Sequence, residues 1–359
     1  MSRNIGIYIH APFCAKKCPY CDFYSERWSS RAGDDYVDAV LRAIKAQPFG
    51  SLSADTIYFG GGTPSLLGSS RLVRILDKLA ARFDIAAGAE ITLEANPGTV
   101  DGDSLRELRS FGFTRLSIGV QSLVSGELAH LGRIHTSDQA EQAIENARTA
   151  GFSDISADVM LGIPNQNKDS LSKTLERLLS LPLNHLSAYI LKIEEGTPFA
   201  LRNIEDVCPG EDESSELYLH CADILSKSGF SHYEISNFAK GGAEGRHNLK
   251  YWRCEEYLGI GPSAHSFISG RRFYFPRSLM EFCKTPNPWD LRIDDGEGGS
   301  FEEYAMLRLR LSEGINDKSI ASKALPLAKI GLVNIFGDTV SLTAKGWLLS
   351  NAVTARLLL

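Results

Sequence analysis

Cys14-Ala-Lys-Lys-Cys18-Pro-Tyr-Cys21 puts three thiols within eight residues, directly after the alternating run Ile5-Gly-Ile-Tyr-Ile-His10. A structural zinc site takes four protein ligands, and no fourth Cys or His follows at zinc-ribbon spacing. A disulfide framework fails as well, because an odd cluster leaves one thiol over. Three closely spaced thiolates suit a cubane [4Fe–4S] cluster in which one iron keeps no protein ligand. That iron is open to chemistry.

The rest of the composition is that of an ordinary globular chain. Its 359 residues are 43% hydrophobic and 23% charged, enough for one large domain and a small one. A formal charge of −6 gives no electrostatic case for nucleic acid. No apolar stretch approaches the roughly 20 residues needed to cross a bilayer, and Met1-Ser-Arg-Asn-Ile-Gly lacks the core and cleavage pattern of a signal peptide. The expected location is the cytoplasm, where cysteines stay reduced. Cys208, Cys221, Cys254 and Cys283 are scattered, and Cys221 shares a helical face with Leu217, Ile224 and Leu225, which reads as core packing.

Outward from the cysteines, strand and helix signals alternate. Residues 4–10 place Ile5, Ile7 and Ile9 on one face and Gly6, Tyr8 and His10 on the other. Short β-branched runs follow at 56–59, 90–94, 115–120, 155–161, 185–191 and 232–235. Between them lie amphipathic segments such as 70–83, with Leu72, Ile75, Leu76, Leu79 and Phe83 on one face. Thr136 and Gln139 form a capping-box pattern, and Gly229 is positioned to end a helix over 211–228. This order predicts an α/β fold with a parallel sheet. Residues 285–300, rich in Pro, Gly and acids, read as a linker to a small C-terminal unit.

The C-x3-C-x2-C spacing, with an aromatic residue before the last cysteine, resembles the signature of the radical S-adenosylmethionine (SAM) enzymes. In that family the open iron holds SAM's methionine, and an electron from the cluster breaks the sulfonium bond to give an adenosyl radical. The coproporphyrinogen oxidase-like branch is closer still. Its motifs YIH-x3-C-x3-C-x-YC, GGGTP (60–64), E-x-NP (94–97), GVQS (119–122) and D-x-M-x-G-x-P (158–164) stand here in order. The resemblance implies a partial (β/α)6 TIM-type barrel with chemistry at the C-terminal ends of its strands, and a small winged-helix-like α+β domain after it. The segments expected are 1–240 for the barrel, 241–299 for a haem-motif segment and linker, and 300–359 for the C-terminal domain. It implies a cluster on Cys14, Cys18 and Cys21. SAM contacts, or contacts to a second SAM or substrate, carry over to Tyr8, Tyr20, Gly61, Gly62, Thr63, Glu94, Gln121, Arg133 and Asp158.

Two functions share this scaffold: oxygen-independent oxidative decarboxylation of coproporphyrinogen III, and haem chaperoning. Phe23 stands where the oxidases carry a fourth cysteine, the chain starts seven residues before Tyr8 without their N-terminal extension, and His247-Asn-Leu-Lys-Tyr251-Trp252 matches the H-N-x-x-Y-W motif of the chaperones. The expectation is therefore a haem chaperone, with His247 as axial ligand and Tyr251 and Trp252 stacking on the macrocycle. His265 and Cys254 are competing ligands. The partners expected are haem, haem-accepting proteins such as membrane respiratory enzymes, and a second copy of the chain. SAM cleavage stays open, and decarboxylation is not expected.

Overall fold

The computed structural model describes residues 4–358; Met1–Arg3, the start of the stretch read for a leader sequence, and Leu359, the end of the 300–359 segment, lie outside the described residues. Six parallel strands stand side by side in chain order: β1 (Asn4–Ala11), β2 (Ser53–Gly61), β3 (Asp84–Ala95), β4 (Arg115–Gln121), β5 (Asp154–Leu161) and β6 (His185–Ile190). The helices between them are α1 (Ser30–Ala46), α2 (Ser69–Arg82), α3 (Gly102–Ser110), α4 (Ser137–Thr149) and α5 (Lys168–Leu179), with α6 (Glu211–Lys227) after β6. This is the partial (β/α)6 barrel.

Local chemistry fixes these helices where the sequence places them. Thr136 Oγ1 accepts from the Gln139 amide at 3.2 Å while Gln139 Oε1 accepts from the Thr136 amide at 2.9 Å, so both orphan donors at the start of α4 are satisfied. α2 buries Leu72, Ile75, Leu76 and Leu79. Gly229 follows α6 at φ 81°, the left-handed conformation that releases the chain after a helix.

Parallel strands buried on both faces usually read as unbroken apolar runs. Here they alternate. Ile5, Ile7, Ile9, Ile57, Phe59, Leu93, Leu116, Ile118, Ile155, Ala157 and Leu186 all join the main apolar core, under the helices. Their neighbours Tyr58, Glu94, Ser117, Asp158, Ser187 and Tyr189 line a cavity on the other face. One cavity touched by five consecutive strands requires that the sheet wrap around it.

Three expectations need correction. The run at 232–235 is β7 (Ser231–Glu234), an antiparallel hairpin with β8 (Asn237–Ala239) that caps the β6 edge; a two-residue connection is too short for a parallel crossover. The sheet also continues past β1 through β9 (Tyr257–Ile260), which pairs parallel to it, and the antiparallel strands β10 (His265–Ile268), β11 (Arg271–Tyr274) and β12 (Ile293–Glu297). No break therefore separates 241–299 from the barrel. Lastly, 285–300 is no bare linker: Trp289 enters the main core and its Nε1 donates to Ala43 O at 2.8 Å, while β12 forms the outer edge. Exposed acids on an edge strand give loop-like composition while protecting that edge from further pairing.

The C-terminal unit has its own core of Ala305, Leu309, Ile320, Ala324, Val340, Leu342, Trp347 and Leu357 around a three-stranded antiparallel sheet. Backbone bonds from Ile235 N to Arg310 O and from Ser312 N to Tyr233 O, both 3.0 Å, fasten it to β7. Among the described residues no helix is long and apolar enough to cross a membrane.

Because Trp289 anchors the 285–300 stretch, Trp289→Ala is expected to lower unfolding stability by about 3–5 kcal/mol. Denaturant titration checks this. A loss below about 1 kcal/mol would mean that the stretch carries none of the fold.

Candidate functional site

The cavity, about 400 Å³, opens at the C-terminal ends of the strands, and Cys14, Cys18 and Cys21 form part of its wall. The cysteine loop is closed at its base by Glu26 N donating to Pro12 O at 2.7 Å and Trp28 N donating to Cys14 O at 3.1 Å. Gly62 seats it on β2: its amide donates to Ala11 O at 2.9 Å, and a Cβ there would lie 2.5 Å from Phe13 O. The glycine turn thus answers first to the approach of the cysteine loop, rather than only to a ligand as its position suggests. Among the described residues no three His, Cys, Asp or Glu side chains converge on a point for one metal ion. A cubane does not ask for that, since each thiolate binds a different iron.

Around the sulfurs runs a chain of donors. Thr63 Oγ1 donates to Cys14 Sγ at 3.8 Å and accepts from Asn96 Nδ2 at 2.8 Å. Arg133 contacts Asn96 Oδ1 through Nη2, which also donates to Gly119 O at 2.8 Å, and its Nη1 donates to Cys18 Sγ at 3.4 Å. A permanent cation such as Arg133 suits a carboxylate partner. The structure turns it on a sulfur instead, with buried Nε left unpartnered. Donors aimed at thiolate ligands tune a cluster's potential. Tyr20 also lines the cavity and packs on Phe199 at 6.0 Å.

The opposite wall carries two acids. Burial, reinforced by the Asp158 charge, pushes the Glu94 carboxyl up to about 7 against hydrogen bonds from Tyr58 Oη at 2.7 Å and Gly61 N at 3.1 Å. Asp158 is raised by burial, opposed by Ser187 and by Ser117 Oγ at 3.0 Å. Gln121 completes the wall at φ 67°, a left-handed conformation costing a non-glycine residue roughly 1–2 kcal/mol. Strain at the end of β4 aims its amide into the cavity.

Tyr8 sits deeper than its proximity to the cysteines suggests. It lines a smaller cavity with His10, Tyr58, Asn248 and Tyr251, and its Oη lies 3.0 Å from His10 Nδ1. Beneath it, helix α7 (Arg246–Trp252) closes the N-terminal mouth of the barrel. The Glu90 carboxylate accepts from the amides of Arg246 and His247, both at 3.0 Å, and Lys250 pairs with Asp55 at 2.9 Å and donates to Asn4 O at 3.1 Å.

His247 sits at the centre of this closure. Its ring is 1% exposed, and it stacks on Tyr58 with ring centroids 5.2 Å apart. Nδ1 lies 2.8 Å from Thr56 Oγ1 and Nε2 2.8 Å from Tyr251 Oη. With both nitrogens engaged, neither is available to a haem iron in this conformation. Tyr251 is consumed in the same contact, and Trp252 packs beneath Arg310 at 5.2 Å. In this conformation the three residues hold a plug, and a haem role for His247, Tyr251 and Trp252 requires that α7 move.

A family model for the radical SAM superfamily matches residues 8–178. The haem chaperone HemW of Lactococcus lactis is 32% identical over 95% of this chain and 89% of its own length. The HemW of Escherichia coli is 37% identical over 86% of this chain and 83% of its own. The chain belongs to the HemW family of radical SAM proteins. Among solved structures, the E. coli coproporphyrinogen III oxidase HemN, a radical SAM enzyme, superposes with a TM-score of 0.84 at 22% identity, covering 99% of this chain and 90% of HemN, which is a likeness of fold.

Radical SAM membership implies a [4Fe–4S] cluster and SAM, and the lining of this HemW-family barrel fits both. Its thiols are soft ligands suited to iron–sulfur chemistry, and its two buried carboxylates are acceptors for an ammonium and hydroxyls. Phe23, in place of a fourth cysteine, is 66% exposed. Tyr58, Arg115, Ser117, Ser187 and Tyr189 lie outside the quoted motifs and also form the cavity wall. The period-two alternation of β2 to β6 was the signal that pointed to most of them.

Glu94 also makes stability pH-dependent in this HemW-family chain. A carboxyl raised in the folded state contributes most below its unfolded pKa and loses that contribution as pH rises toward about 7. Glu94→Gln is expected to flatten this slope and to be more stable than the parent at pH 8 by about 1–2 kcal/mol. Parallel denaturation curves at pH 5 and pH 8 check it, and identical slopes would contradict the assigned protonation.

Proposed function

We propose that this chain binds haem and passes it to acceptor proteins, using a cluster on Cys14, Cys18 and Cys21 with SAM held in the barrel lumen. The observation that carries the reading is its likeness to haem chaperones over nearly its whole length. The fold shared with HemN makes coproporphyrinogen decarboxylation the second reading. Phe23 in place of the fourth cysteine argues against it.

When bound, the cluster and SAM supply one-electron chemistry at a sulfonium. The chain's residues divide the remaining work. Glu94, Asp158 and Gln121 accept from or orient the amino and hydroxyl groups of SAM, and Gly61 and Gly62 let it approach the backbone closely. Tyr20 and Tyr8 wall the lumen. Thr63 and Arg133 donate toward the cluster sulfurs. Haem-accepting proteins, membrane respiratory enzymes among them, are the proposed partners, and the cytoplasm the proposed location; a second copy of the chain is a further proposed partner.

Two measurements test this reading. Anaerobic incubation of reconstituted protein with SAM, reductant and coproporphyrinogen III is expected to give no sustained protoporphyrinogen, while haem-loaded protein reconstitutes an apo haem protein. Steady decarboxylation would reverse the choice. Separately, replacing Cys14, Cys18 or Cys21 with Ser is expected to remove the cluster, and retention of four irons in any of them would contradict the ligation.

A further inference from the structure

Arg115, the first residue of β4, is a buried cation without an anion. It is 4% exposed and lines the lumen cavity, where its Nη1 donates to Ala243 O at 2.9 Å. Among the described residues it joins no ion pair, although three acids line the same cavity. Each acid is engaged elsewhere: Glu90 by the amides of Arg246 and His247, Glu94 by Tyr58 and Gly61, and Asp158 by Ser117. Burial raises the Asp158 pKa and lowers that of His185, and the Arg115 charge acts on both. A guanidinium taken out of water and left unpaired is costly, and an anionic ligand offsets that cost.

Place and neighbours decide which anion fits. At about 3.3 Å per residue along β4, Arg115 stands roughly 20 Å below Gln121, at the floor of the lumen. The methionine end of SAM belongs at the open iron, beside the cysteines at the other end, so Arg115 serves a different ligand. Gly245, directly before α7, leaves room at the guanidinium: a Cβ there would lie 3.8 Å from Nη2. Asn248, one turn on along the same face of α7, lines the cavity too, and among the described residues its side-chain amide makes no hydrogen bond. A planar guanidinium fork suits a carboxylate bound through both oxygens. Glu90 and Asp158 on the same wall repel a doubly charged phosphate more strongly than a singly charged carboxylate.

We propose that Arg115, with Asn248, forms a carboxylate seat at the floor of the lumen and takes a propionate of haem. This rests on the haem-chaperone reading above and holds whichever side chain ligates the iron. A propionate is a slender arm on a broad ring, so it reaches a seat that the ring itself does not enter. A haem role for α7 requires that helix to move, and Arg115 bears on the motion through Ala243, three residues before α7 begins. A carboxylate is a stronger acceptor than a carbonyl, so a propionate that takes over Nη1 frees the segment leading into the helix.

Titration of the reconstituted full chain with ferric haem and with its dimethyl ester, followed through the haem absorbance, tests it. Wild type is expected to bind the diacid about tenfold or more tightly than the diester. Arg115→Gln is expected to bind both with the affinity that wild type has for the diester, with the iron–sulfur signal unchanged, and Arg115→Lys to restore part of the preference. Asn248→Asp, which sets a carboxylate beside the guanidinium without removing it, is expected to abolish the preference as well. Equal binding of diacid and diester by wild type, or a preference that survives in Arg115→Gln or in Asn248→Asp, overturns the seat while leaving the haem-chaperone reading in place. Failure of wild type to bind either porphyrin overturns both.

Discussion

Alternation along six parallel strands is the constraint from which the rest follows. Successive side chains on a strand face opposite ways, so an apolar residue at every second position commits one face to the helices and hands the other to a lumen. Ile5, Ile7 and Ile9 are fully buried under the helices, and Tyr8 and His10 face the lumen between them. A register slip of one residue would send Glu94 and Asp158 into the helix layer, where neither has a partner. The same pattern that stabilises the barrel therefore places its acids.

That lumen would be a polar hole without the fastening at its upper rim. The cysteine loop gains its position from backbone contacts, the Gly62 amide on Ala11 and the close approach to Phe13. Thr63, Asn96 and Arg133 then tie two of the three sulfurs to the ends of β2, β3 and β4. Rim and wall are one network. A change at Asn96, which touches no sulfur, acts on both Cys14 and Cys18 through Thr63 and Arg133.

Much of this was legible in the sequence because short-range chemistry fixed it: the six strands, the capping box at Thr136, the left-handed Gly229 and the grouping of Cys14, Cys18, Cys21, Gly62, Glu94, Gln121 and Asp158 around one cavity. What escaped depended on neighbours distant along the chain. Arg133 keeps its charge whatever it meets, and nothing in Leu-Gly-Arg-Ile-His tells a sulfur from a carboxylate as its partner. Trp289 sits in a Pro- and acid-rich stretch whose composition reports exposure, yet its own ring reaches Ala43, far back in the chain. The contacts of His247 were hidden for the same reason. The motif around it groups an imidazole, a phenol and an indole without saying whether they face a ligand or each other.

In this fold they face each other, and the arrangement has a consequence for access. Glu90 holds the first amides of α7, Lys250 is buried against Asp55, and His247 bridges Thr56 and Tyr251, so the lower mouth is closed by contacts that are mostly buried and hydrogen-bonded. Removing one member of such a network leaves its partners unsatisfied, at about 1–3 kcal/mol each, which makes the plug costly to open. Traffic into the lumen is thereby confined to the end that carries the cysteines. A ligand of the lumen therefore enters past Cys14, Cys18 and Cys21, which form part of that cavity's wall.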